Sequence, residues 1–136
     1  MSREANIKLV RESIDALNAH DIDRLLKTFH EEYSFGYGVS DPWIGHKMMR
    51  EGMEALFAAV PDMHREIHQI IADDEDNVVL RYSWTGTHEG EFDGIAPTHK
   101  KIEVQGCTVT KVKDGKRYQI WQYYAGPTFP EQIGAK

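Results

Sequence analysis

The spacing of apolar positions changes character twice along the chain. From residue 4 to 20 it is helical, with Ile7, Val10, Ile14 and Leu17 on one stripe. Residues 18–21 interrupt the stripe. Asp21 is a candidate N-cap for a short second helix carrying Ile22, Leu25, Leu26 and Phe29. The two helices are expected to form a hairpin. Alternation then takes over in YSFGYGVSDPW: Tyr33, Phe35 and Tyr37 predict a short strand, Gly36 and Gly38 permit a bend, and Asp41-Pro42 marks a loop. Helical spacing returns over 45–59, with Met49, Met53, Leu56 and Phe57 inward, and Pro61 closes that segment.

From Met63 onward the pattern is that of strands. MHREIHQIIA is one, DDEDN a polar turn, NVVLRYSWTGTHEGEF a long second, and KKIEVQGCTVTKVK a third. Asp114-Gly115 is a strong hairpin signal, because both residues tolerate positive φ, and KRYQIWQYYAG is the last strand. Helices followed by a meander predict a single α+β domain over 1–136, with helices packed on one face of a strongly curved antiparallel sheet.

Strand parity divides the side chains between two faces. Expected inward are Met63, Arg65 and Ile67; Leu80, Tyr82, Trp84, Gly86 and His88; Ile102, Val104, Gly106, Thr108 and Thr110; and Gln119, Trp121, Tyr123 and Ala125. These faces are rich in aromatic residues, which suits either a core or a site for a flat organic ligand.

Composition narrows the field. The 136 residues are 40% hydrophobic and carry a net charge of -6, which argues against nucleic acid or an anionic membrane as partner. The one cysteine, Cys107, allows neither an internal disulfide nor a cysteine-rich metal site. The N-terminal MSREANIKL has no apolar run of signal-peptide length, so a soluble cytoplasmic protein is expected.

Three segments, VPDMHREI, NVVLRYSWTGTHEGEFDGIAPTHKKIEVQG and KVKDGKRYQIWQYY, resemble the SnoaL-like polyketide cyclase family of the nuclear-transport-factor-2-like superfamily. The sequence match is best over about residues 60–124. The resemblance implies a cone-shaped α+β barrel with a pocket between helices and sheet, and a homodimer paired through sheet faces. It also implies chemistry without metal or organic cofactor: aldol cyclisation, isomerisation or dehydration. Relatives commonly carry a carboxylate four residues after the tryptophan of the last strand. Here that position is Ala125, and the residue after Trp121 is Gln122. Relatives also tend to have a histidine or aspartate near the end of the first strand, where this chain has Phe35-Gly36-Tyr37-Gly38.

The remaining candidates follow from side-chain chemistry. His88 is a candidate base, since an imidazole needs no extreme tuning for that role, or else a rim histidine. Asp41 is a candidate carboxylate, or a turn residue before Pro42. Tyr37, Tyr82 and Tyr123 are candidate donors to a carbonyl oxygen, or satisfy local backbone. Arg65 on an inward face needs an internal carboxylate or an anionic ligand, unless it reaches solvent. Trp84 and Trp121 would flank a ligand, and His46 lies at the start of the third helix.

Other patterns lead nowhere. In HREIH the strand spacing separates the two histidines by roughly 13 Å, too far for one ion. DDEDN lacks the glycine and terminal glutamate of a calcium loop. Cys107 is expected on the outer sheet face. Two functions remain: an enzyme that removes a proton beside the carbonyl of a small apolar or aromatic compound, or a binding or dimeric scaffold protein that does no chemistry.

Overall fold

The computed structural model describes residues 2–36 and 43–134, with only the backbone of Trp43. Tyr37 and Asp41 lie outside the described residues. Helix α1 spans Arg3–Asn18 and is capped by the Ser2 hydroxyl, which accepts from the Ala5 N–H at 3.0 Å. Its buried stripe includes Val10, Ile14 and Leu17. Asp21 caps α2 (Ile22–Leu26), accepting from the Arg24 N–H at 3.1 Å. Phe29 is not helical; it opens β1 (Phe29–Gly36). A two-residue strand, β2 (Trp43–Ile44), leads into α3 (Gly45–Ala59), which buries Met49 and Met53. The meander is β3 (His64–Ala72), β4 (Asn77–Thr87), β5 (Lys101–Lys113) and β6 (Lys116–Tyr124). A short helix, α4 (Phe129–Gln132), follows.

The strands form one sheet in the order β2-β1-β6-β5-β4-β3. The meander is antiparallel as expected, but β1 runs parallel to β6, so the sheet is mixed. No tight turn joins those two strands. α3 and the rest of the meander lie between them in the chain, which leaves room for a parallel crossover. Helices α1 and α3 cover one face, and β2 and β3 remain as edges, so the sheet curls without closing.

Three strands keep the expected parity. Leu80, Tyr82, Trp84 and His88 are buried, as are Ile102, Val104, Thr108 and Thr110. β6 does not keep it. Trp121 is 38% and Tyr123 53% exposed, on the outer face, while Ile120 and Gln122 are buried. The Asp114-Gly115 turn pairs Lys113 with Lys116 and Val112 with Arg117, but the next pair is Lys111 with Gln119. Tyr118 is therefore an extra residue, and this bulge exchanges the two faces of everything after it.

The long second strand also ends earlier than its alternation suggests, at Thr87. Residues 88–100 turn a corner, held by His88 N–H to Lys100 C=O (3.0 Å) and His99 N–H to His88 C=O (2.9 Å). Gly86 is needed here because a Cβ on it would come within 2.2 Å of a Val60 methyl.

Candidate functional site

Two cavities meet between helices and sheet. The outer one, about 650 Å³, has walls of Phe35, Leu56, Met63, Trp84, Phe92 and Phe129, with Arg65, Asp93 and Tyr124 among its polar lining. The inner one is small, about 40 Å³, and is bounded by Phe29, Met49, Leu80, Thr108, Arg65 and Arg117. Arg65 borders both.

The outer wall is an aromatic cluster assembled from three parts of the chain. Phe129 on α4 packs against Trp84 (5.6 Å between centroids), Phe92 (4.8 Å) and the His88 ring (5.7 Å). Phe92 is held in the corner by reciprocal backbone bonds with Ile95 at 3.0 and 2.8 Å. That turn sets Asp93, a carboxylate, at the cavity edge with φ 46°.

Arg65 is positioned from α1. The Asn18 amide accepts from the Arg65 N–H at 2.7 Å and donates to its C=O at 2.9 Å, as a neighbouring strand would. The guanidinium lies 4.8 Å from the centroid of Tyr82, and its Nε is buried without a hydrogen-bond partner. Arg117 is brought in by the β5–β6 hairpin and is 4% exposed. Its Nε and Nη2 both donate to the Thr110 hydroxyl, at 3.3 and 2.9 Å, and its Cζ is 5.0 Å from the Phe29 ring. Burial, and then the charge of Arg65, push its pKa down to about 9, so it remains a cation at neutral pH. No ion pair holds either guanidinium among the described residues.

The other expected residues fall out differently. His88 is not at a solvent rim: it is wholly enclosed. Its Nδ1 accepts from the Thr98 backbone N–H (3.2 Å) and lies 2.9 Å from the Thr98 hydroxyl. A backbone N–H only donates, so the neutral ring carries its proton on Nε2, which is buried and unpartnered. The Tyr82 hydroxyl donates to Gln122 Oε1 at 2.7 Å and is not free for a ligand. His46 donates from Nε2 to the Phe29 C=O at 3.0 Å and borders a separate surface recess with His30 and Asp114. Trp121 and Tyr123, on the outer face, do not reach the cavity. Trp84 does.

Sequence reasoning missed Arg117, Asp93, Phe129 and the Tyr82–Gln122 bond. Arg117 carries a signal, since in an unbroken strand it shares parity with Gln119, expected inward. Phe129 had none, because a four-residue helix leaves no periodicity. Among the described residues no cluster of three or more metal-ligating side chains exists, and His64, Glu66 and His68 are exposed on the outer face. No helix among them is long and apolar enough to cross a membrane.

The sequence pattern of the SnoaL-like polyketide cyclase family matches residues 7–133. Curated proteins yield no match to the chain. Among solved structures, AclR of Streptomyces galilaeus, a candidate hydroxylase, is similar at 26% identity and TM-score 0.84, over 98% of this chain and 83% of its own. TsrD of Streptomyces laurentii is 21% identical with TM-score 0.84, over 100% and 99% of the two chains. IdmH of Streptomyces antibioticus, a candidate polyketide cyclase, is 22% identical with TM-score 0.77, over 96% and 99%. The last two show the shared fold.

Proposed function

Because the chain belongs to the SnoaL-like polyketide cyclase family, we propose that it is an enzyme of cyclase type. Its substrate is a small, largely apolar or aromatic carbonyl compound, and the first step is removal of a proton next to the carbonyl. The observation that carries this reading is the 650 Å³ cavity, aromatic on its walls and bordered by a carboxylate, Asp93, and a guanidinium, Arg65. A ring system lies against Trp84, Phe92 and Phe129. Asp93 takes the proton, and Arg65 stabilises the charge that develops on the carbonyl oxygen. Collapse of the enolate then gives cyclisation, isomerisation or elimination. Asp41 and Tyr37 are further candidates for moving the proton. His88 fits a wall-holding part better, since its one lone pair faces Thr98. The reading includes a homodimer formed through the outer sheet face, where Trp121, Tyr123 and Ile71 are exposed.

The experiment follows α-proton exchange of aromatic 1,3-dicarbonyl compounds in D₂O by NMR. Acceleration by the protein is expected, and Asp93→Asn should remove about a hundredfold of it. If no compound in the series exchanges faster with protein than without, the enzymatic reading is wrong.

A second reading has its own support. Ala125, where relatives commonly place a carboxylate, is exposed and cannot ionise, and Gln122, the residue after Trp121, is tied to Tyr82 inside the sheet. The same cavity would then bind a ligand and leave it unchanged. Binding by calorimetry with no exchange distinguishes this outcome.

A further inference from the structure

The inner cavity holds an excess of positive charge that none of the described residues lining it neutralises. Arg117 is almost fully buried, and Arg65 borders the same 40 Å³ space. The described residues lining that space include no carboxylate. Burying one unpaired cation is costly, and two close together repel as well. The aromatic rings of Tyr82 and Phe29 compensate only in part. Two polar atoms point to a missing acceptor: Arg65 Nε and the Thr108 hydroxyl are both buried without a hydrogen-bond partner. Their residues line the same small cavity.

We propose that this inner cavity is an anion subsite, in which Arg65, Arg117 and Thr108 take the carboxylate of a ligand whose apolar ring system fills the outer cavity. The guanidinium fork matches a carboxylate's two oxygens, and the Thr108 hydroxyl can donate to one of them. The inner space, about 40 Å³, has room for a small planar head. Arg65 lies where the two cavities meet, so the charged head and the ring body would share it. The inference rests on the reading of the outer cavity as a small-molecule site and names the class of molecule: an aromatic carboxylic acid or keto acid. The net charge of -6 does not attract such an anion from a distance, so selectivity has to come from the inner groups.

The test is calorimetric titration of the full chain with benzoate, 2-naphthoate and anthracene-2-carboxylate, each against its uncharged primary amide. At least one acid should bind about tenfold or more tightly than its amide, as expected for charge-assisted pairing. Arg117→Met should abolish that preference while leaving amide binding within about threefold, and Arg65→Met should abolish it as well. The unliganded Arg117→Met protein should melt higher than wild type, because a buried unpaired cation is gone. Should that variant fail to fold, Arg65→Met and Arg117→Lys decide the matter, the lysine retaining charge without the fork. Acids and amides binding equally would overturn the anion subsite and leave the outer cavity as a ligand site. An acid preference that survives in both arginine variants would also overturn it. If no acid and no amide binds, the small-molecule reading fails and the subsite with it. Inorganic phosphate binding more tightly than every acid would overturn the carboxylate assignment.

Discussion

The Tyr82 hydroxyl on β4 donates to the Gln122 side chain on β6 at 2.7 Å, passing over the strand that separates them. Gln122 Nε2 in turn donates to the Tyr123 C=O at 2.9 Å. Both residues are buried, at 1% and 3% exposure, so each polar atom depends on the other. Tyr82→Phe leaves Gln122 Oε1 without its donor and should cost about 1–3 kcal/mol in urea unfolding. Adding Gln122→Leu should cost less than the sum of the single changes, because the pair is then removed together.

That crossing requires glycine on the intervening strand. A Cβ on Gly106 would stand 2.6 Å from Tyr82 Cζ and 2.9 Å from Gln122 Nε2. Gly106→Ala should therefore destabilise by about 1–3 kcal/mol. The clash is with the end of a side chain, not with backbone. In a Tyr82→Leu background the same alanine should be nearly neutral, and a thermal melt of the three variants checks this.

Asp62 ties the start of the meander to the end of β4, accepting from the Thr87 N–H at 2.7 Å and its hydroxyl at 2.9 Å. Burial opposes its ionisation, but the bonds from Thr87 outweigh it and hold the pKa below the ordinary carboxylate value. The unfolded chain therefore takes up the proton first as pH falls. The stabilisation is complete above the unfolded pKa and is lost as pH drops through the folded one. Wild type should lose melting temperature between about pH 5 and pH 2 more steeply than Asp62→Asn, in a series of melts at fixed ionic strength.

Trp121 and Tyr123 stand on the outer face beside Val109 and Cys107 of β5. Large apolar side chains in a row on a sheet face favour association. Trp121→Glu should shift light-scattering mass from dimer to monomer and change the unfolding free energy of the monomer by no more than about 1 kcal/mol. A wild-type monomer at micromolar concentration would remove the dimer from the proposal.

The structure alters one strand's contribution to the interior, and the cause is local. Counting straight from the Lys113–Lys116 pair sets Gln119, Trp121 and Tyr123 opposite Thr110, Thr108 and Gly106, all on the inward face. The bulge at Tyr118 moves each partner by one, to Ile120, Gln122 and Tyr124. Tyr118 contributes a ring edge-on to His30 at 5.0 Å and beneath the Lys113 ammonium at 4.6 Å. Both contacts are made across the hairpin or to β1, so periodicity within the strand carries no trace of them.

Apolar periodicity by itself determined α1, α2 and α3, the meander, the inward faces of β4 and β5, and that of β3 as far as Ile67, where a bulge exchanges its faces. Those features depend on the 3.6- and two-residue repeats of a single segment, which any amphipathic element must obey to bury one side. Tertiary structure decided the rest: the parallel seating of β1, the face of β6, the aromatic wall closed by Phe129, and the convergence of Arg65 with Arg117. Each joins segments far apart in the chain. Which partner a side chain meets there is set by register and packing, not by its neighbours in sequence.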